Sequence, residues 1–277
     1  MGPENKLAGV LNMRDLLLAD PGSPVEAVMR KGVVAVSPFM EREELGRLAA
    51  QKQFIAFPVV DADGRLLGVV RSHLILESGQ EGAAQDLQIL FGGSADERVF
   101  SPVPFKFSRR IGWLLLNLAT AFLAASVVAL FEGLITRFAV LAVLLPIVAG
   151  QGGNAGTQSL SIILRGLIMR EVHPADALKA VGKEAAVGLI NGLVIGLVTG
   201  ALTWAWKGDP ALGLVIGLAM FVNLIAAGAA GAAIPILMKK LGFDPAQSSG
   251  IFLTTVTDVV GFFAFLGFAT VFASWLM

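Results

Sequence analysis

Residues 250–277 read GIFLTTVTDVVGFFAFLGFATVFASWLM, and the only charged side chain among them is Asp258. A run of this length exceeds the roughly 20 apolar residues needed to cross a bilayer. A carboxylate at the centre of such a helix costs on the order of 3 kcal/mol. A cation, a proton or water must offset that cost. Four further apolar windows, over about 111–131, 138–164, 185–204 and 212–238, precede this fifth one at 250–276. Buried helices of a soluble core do not account for so many windows of this length. The expected fold is an all-α five-helix transmembrane domain, preceded by a small α+β domain.

The chain is 55% hydrophobic and only 15% charged, against about 25% charged residues in an ordinary soluble domain. The bias is uneven. Residues 1–110 have mixed charge and short apolar runs, and SPVPFKFSRR (101–110) marks the passage to the membrane part. Net charge is zero, and no basic patch is interleaved with aromatics, which argues against nucleic acid as a partner. Cysteine is absent and the two histidines, His73 and His173, have no partner at ligand spacing, which removes disulfide, thiolate and zinc chemistry. The polar N-terminus lacks the apolar core of a signal peptide. Lys106, Arg109 and Arg110 precede the first window; Arg165, Arg170, Lys179 and Lys183 follow the second; Lys239 and Lys240 follow the fourth. The other two short loops carry only Arg137 and Lys207. This bias predicts a cytoplasmic N-terminus, a C-terminus outside, and a multi-pass protein in contact with membrane lipid.

Within the soluble part, VVAVS (33–37) reads as a strand and EREELGRLAAQKQF (41–54) as a helix. AFPVVD (56–61) and RLLGVVR (65–71) read as a hairpin around Ala62-Asp63-Gly64, followed by the start of a helix at SHLILE. LAGVLNMRDLLL (7–18) echoes LLGVVRSHLILE (66–77) at a separation of 59 residues. The expected division is the end of a first module at 1–23, a complete second module at 24–77, a connecting helix and linker at 78–108, and the membrane domain at 109–277.

The second window contains LLPIVAGQGGNAGTQSLSIILRG (144–166). Pro146 and four glycines stand among Gln151, Asn154, Thr157 and Gln158. Two readings fit. Broken backbone survives in hydrocarbon against protein or a wet cavity, which makes this segment a cavity wall; alternatively, the glycines form a close-packing face. Asp258 with Thr254, Thr255, Thr257, amides and carbonyls makes an all-oxygen environment, the kind hard cations such as Mg²⁺ and Ca²⁺ prefer. One carboxylate supplies a single negative charge, whereas two copies around a shared axis supply two, matching a divalent ion. A structural alternative is an Asp258 hydrogen-bonded to the threonines or to Asn154.

PIVAGQGGNAGTQSL (146–160) and LGFDPAQSSGIFLTTVTDVVG (241–261), preceded by a module whose VMRKGVVAVSP and FPVVDADGRLLGVV are similar to those of a CBS domain, resemble the MgtE family of bacterial Mg²⁺ channels. The resemblance implies a homodimer in the inner (plasma) membrane with a pore lined by the second and fifth spans. It implies hydrated Mg²⁺ held by Asp258 of both subunits, and Asn154 as a pore residue. Gly150, Gly153, Thr157, Thr254, Thr255 and Thr257 are the expected pore lining. Family members are rich in acidic residues after the last CBS strand, where cytosolic Mg²⁺ acts as a regulatory ion. Arg71, Ser72 and His73 stand there in this chain, with Glu77, Glu81 and Asp86 nearby. Glu184 is a candidate for the inner mouth of the pore or, equally, an interfacial charge. Adenine nucleotide is a partner of many CBS pairs, and the incomplete pair weakens that expectation here. The function so implied is Mg²⁺ permeation. Its rival is an ion-coupled carrier of a small solute with Asp258 as the coupling carboxylate. An intramembrane enzyme would need a nucleophile–base pair or clustered carboxylates, which the spans lack.

Overall fold

The structure, a computed structural model, describes residues 5–52, 54–75, 85, 88, 89, 92–169 and 171–276. It divides into two compact units, Met1–Ala84 and Gln85–Met277. In the first, helices α1 (Met13–Leu18), α2 (Val25–Val28) and α3 (Arg42–Lys52) accompany the antiparallel strands β1 (Ala56–Val60) and β2 (Leu66–Arg71). The hairpin turn forms where its chemistry places it. Asp61 accepts from the backbone N–H of Asp63 (3.0 Å) and of Arg65 (2.8 Å), and Gly64 takes the left-handed conformation at φ 79°. Phe57 from β1, Val36, Ala49 of α3 and Ile75 form the core.

The stretch 33–37 is not a strand. Only Val36 pairs, in a single parallel bridge to Val59, with Val36 N–H donating to the Pro58 carbonyl (2.9 Å) and Val60 N–H to the Val36 carbonyl (3.0 Å). Gly32, left-handed at φ 79°, turns the chain on one side, and Pro38 brings no N–H on the other. The echo segment behaves alike: Val10 and Arg30 exchange backbone hydrogen bonds, and α1 follows without a full strand. Most of the connecting helix expected over 78–98 lies outside the described residues, as do Glu77, Glu81 and Asp86. Residues 92–98 are turns rather than helix, for Gly92 is left-handed at φ 81° and its N–H bonds back to the Ile89 carbonyl (2.9 Å).

The second unit holds α4 (Val103–Ala129), α5 (Glu132–Arg137), α6 (Val140–Ile168), α7 (Ala177–Lys207), α8 (Pro210–Lys240) and α9 (Pro245–Val271). Five of them, α4 and α6 to α9, are long and apolar enough to span a membrane. The most enclosed is α8, which packs against α6, α7 and α9, while α4 packs on α9. Leu141, Leu144 and Val148 of α6 meet Leu212, Val215, Ile216, Ala219, Met220 and Leu224 of α8 and Phe265, Leu266 and Ala269 of α9.

Short turns fix the order of these helices. Gly208 closes α7 in the left-handed conformation, Asp209 caps α8 by accepting from Ala211 N–H (2.8 Å) and Leu212 N–H (3.1 Å), and Pro210 takes the first helical position. Asp244 and Pro245 repeat this at α9. Replacing Asp209 by alanine orphans two N–H groups in a buried turn. A loss of about 1 kcal/mol is expected, readable as a lowered melting temperature in detergent.

The last turns before α4 are tied down by charge. Glu97, only 4% exposed, accepts twice from the Arg110 guanidinium; Asp96 pairs with Arg109 at 3.6 Å, and Lys106 Nζ donates to the Val99 carbonyl (2.7 Å). The hydrogen bond from Arg110 holds the Glu97 carboxyl below its ordinary range. A lowered folded-state value stabilises above the unfolded-state value and is lost as pH falls through the folded one. Hydrogen exchange over 94–101, taken relative to the intrinsic rate at each pH, is therefore expected to accelerate only at pH below the normal glutamate range. In Arg110→Gln the acceleration should begin at a higher pH.

Candidate cation site on α6 and α9

α6 is one continuous helix, so the backbone break expected around 144–166 does not occur. Pro146 sits in the second turn, and neighbouring helices press on Gly152 and Gly156 of the glycine cluster. The segment is two-faced. Val148, Gly152, Gly156 and Ser159 are buried, and a methyl added to Gly156 would lie 2.7 Å from Leu253 Cδ1 of α9. Gly150, Gln151, Asn154 and Gln158 are exposed, and an added methyl at Gly150 or Gly153 would meet nothing within 4 Å. The close-packing reading holds for the face that carries Gly152 and Gly156, while the face that carries Gly150 and Asn154 is open.

On α9 the buried stripe is Leu253, Thr257, Gly261, Phe265 and Ala269. Asp258 lies one residue, about 100° of helix, off that stripe. It is half-exposed and is the fourteenth of the 27 residues of α9, its midpoint. Among the described residues no side chain bonds or ion-pairs with it. The threonines do not satisfy it, because each hydroxyl donates along its own helix. Thr254 donates to the carbonyls of Gly250 (3.2 Å) and Ile251 (3.0 Å), Thr255 to Ile251 (2.7 Å), and Thr257 to Thr254 (3.0 Å). Thr157 on α6 donates to Gly153 (2.8 Å) in the same way. Thr257 is 0% exposed and faces the packed helices, whereas Thr254 and Thr255 stand at or near the surface.

Two contacts give the relative depth of α6 and α9. Gly156 meets Leu253, and Gly261 meets Val148, so eight residues forward on α9 match eight residues back on α6. Asp258 is then level with Gln151, and Asn154 with Thr255. The candidate residues on α6 and α9 occupy a single band about two turns deep. Besides the amide N–H donors of Asn154, they present acceptors: carboxylate, amide oxygen, and hydroxyl lone pairs whose protons are already committed. That is the polarity needed by the outward-pointing hydrogens of water around a cation. Among the described residues no three His, Asp or Glu side chains form a metal cluster.

Glu184 is half-exposed near the start of α7, and its backbone carbonyl presses on Gly228 of α8. It is not on the α6–α9 pair. An open apolar groove of about 470 Å³ between α7 and α8, lined by Gly196, Leu197, Trp204, Gly217 and Phe221 among others, carries none of the candidate residues. The sequence reading passed over Asn223 on α8, which is 0% exposed and donates from Nδ2 to the Val148 carbonyl of α6 (3.0 Å). Its signal was present: it is the only amide, hydroxyl or charged side chain between Leu212 and Met238.

Fold and site together define a multi-pass membrane protein with a polar band at mid-helix and a small N-terminal α+β unit. Residues 145–268 match the MgtE divalent cation transporter model, and residues 25–80 match the CBS domain. The chain is 33% identical over 269 residues to the magnesium transporter MgtE of Enterococcus faecalis, covering 97% of this chain. It is 31% identical to that of Bacillus subtilis and 34% identical to that of Thermus thermophilus, each over 96% of this chain. It spans 59% of the length of each of these curated relatives. The chain belongs to the MgtE family of divalent cation transporters.

Proposed function

We propose that this chain conducts Mg²⁺ across a bacterial plasma membrane, through a path between two copies that is lined by α6 and α9. Hydrated Mg²⁺ is held by Asp258 of both subunits, with Asn154, Thr255 and the open glycine face of α6 accepting hydrogen bonds from its water shell. The observation that carries this reading is Asp258 itself: a carboxylate at the midpoint of a spanning helix, with no protein partner among the described residues, level with the amide-bearing face of α6. The relatives' printed name, magnesium transporter, supports Mg²⁺ as the cargo. Mg²⁺ sheds its water reluctantly, so a site with one carboxylate per subunit and several acceptors suits the hydrated ion better than a tight cage. The basic residues at the α6–α7 and α8–α9 connections support an N-terminus in the cytoplasm.

Liposomes carrying the purified protein and an enclosed Mg²⁺-sensitive dye test this directly. Influx is expected down a Mg²⁺ gradient with no proton or sodium gradient present. Influx that requires either gradient would instead make Asp258 the coupling group of a carrier. The chain has no cysteine, so Thr255→Cys offers one thiol per subunit. A short bis-maleimide, which alkylates one thiol at each end, should then link two subunits, and linking abolished by excess Mg²⁺ would support an ion between them.

A further inference from the structure

We infer that Asn223 is a positioning residue that sets the separation of α6 and α9, and thereby the width of the cation path. This rests on the proposed role of those two helices. Its side chain is 0% exposed in the middle of α8, the helix enclosed by α6, α7 and α9. One amide fills two notches. A methyl added to Gly152 of α6 would strike Asn223, whose Nδ2, Cγ and Oδ1 are its three nearest atoms. A methyl added to Gly261 of α9 would lie 2.6 Å from Nδ2 and 2.9 Å from Cγ of the same residue. The hydrogen bond from Nδ2 to the Val148 carbonyl, 3.0 Å long, fixes the rotamer that occupies both notches. Oδ1 has no partner among the described residues, so the amide is not explained by full satisfaction of its own polar atoms. A buried polar group in a largely apolar interface helps to specify register, since a slip breaks its hydrogen bond.

The link to the ion is short. Gly152 precedes Asn154 by two residues, about 200° around α6, so the amide presses on the side of the helix opposite Asn154. Gly261 follows Asp258 by less than one turn of α9. A change in the bulk of residue 223 therefore displaces the backbone segments that carry the two candidate ion-facing groups. Gly152 itself gains a reason: it is the seat of Asn223, while its neighbours Gly150 and Gly153 face open space.

A double-mutant cycle in proteoliposomes tests this, with Mg²⁺ and Co²⁺ influx measured on each variant. Gly152→Ala is expected to lose Mg²⁺ influx about tenfold, because its methyl collides with the amide. Asn223→Ala should lose influx several-fold and shift the Mg²⁺/Co²⁺ ratio, a readout that simple loss of stability does not move. The double variant should recover to the Asn223→Ala level, since the collision is gone. Losses that multiply in the double variant, or an Asn223→Ala protein with wild-type influx and wild-type ratio, would overturn the inference. If Gly152→Ala does not fold, recovery of the melting temperature in the double variant is the deciding measurement, and no recovery sinks the idea. Asp258→Asn in parallel separates the two readings. Wild-type influx there overturns the pore assignment itself, whereas its loss alongside an unaffected Asn223→Ala overturns only the role given to Asn223.

Discussion

Asp258→Asn is expected to reduce Mg²⁺ influx at least about 100-fold while the protein remains folded and membrane-embedded. The substitution keeps size and shape and removes only the charge. Nothing in the fold depends on that charge, because no described side chain bonds to it and Asp258 is off the buried stripe of α9. A pair of unit charges 4 Å apart is worth about 4 kcal/mol at an effective dielectric near 20. A hydrated divalent ion feels less through its water shell, but a loss of only about 2.8 kcal/mol in total already lowers occupancy 100-fold. In the proposed path between two copies both carboxylates are lost at once, which doubles the effect. Melting temperature in detergent should stay level or rise, since an unpaired carboxylate has been taken out of hydrocarbon. Influx assays on liposomes of matched protein content, with the melting temperature as control, decide it. Retained influx would mean the ion does not pass this residue.

Why Asp258 was legible in the sequence and Asn223 was not follows from their chemistry. A lone charge in a stretch of 28 residues is costly enough to mark a candidate site. An amide costs less and is easily absorbed into packing, so its position alone does not say whether it faces a cavity or a neighbour. The glycine-rich segment at 144–166 could not be resolved into faces from residue types alone, because glycine serves close approach and open space equally well. Helical phase relative to Leu253 and Asn223 separates Gly152 and Gly156 from Gly150 and Gly153. The spanning helices follow directly from hydropathy and length. The turns joining α7 to α8 and α8 to α9, Gly208-Asp209-Pro210 and Gly242-Phe243-Asp244-Pro245, were passed over as well, although in each glycine ends a helix, aspartate caps the next and proline starts it. In the soluble unit, apolar alternation at 33–37 overstated pairing. A β-branched run says that a strand is tolerated, and says nothing about whether a neighbour is there to pair with it.

The largest effect on stability is expected at a seam built on glycine. Gly188, Gly192, Gly196 and Gly200 recur every fourth residue along α7 and meet the backbone of α8. A methyl at Gly192 would lie 2.8 Å from the Phe221 carbonyl oxygen, at Gly196 2.6 Å from that of Gly217, and at Gly200 2.7 Å from that of Gly213. The obstacle at each place is main chain, which cannot rotate aside as a side chain can. In lipid the hydrophobic effect does not drive helices together, so close approach and dispersion must hold this pair. Opening it by only 0.5–1 Å forfeits about a quarter to a half of each contact's attraction. Gly196→Leu inserts a whole side chain there, and overpacking of this kind costs about 1–3 kcal/mol or more against a total stability of about 5–15 kcal/mol. The expected result is a protein that aggregates in size-exclusion chromatography, with Gly196→Ala intermediate between it and wild type. Gly182→Ala on the same helix is the contrast: nothing lies within 4 Å of the added methyl, and alanine is about 1 kcal/mol better than glycine in a helix, so its melting temperature should hold or rise. Should Gly196→Leu melt at the same temperature as Gly182→Ala, α7 and α8 would not be in backbone contact. The displacement would also reach the ion path, because α8 carries Asn223 and Asn223 seats both α6 and α9.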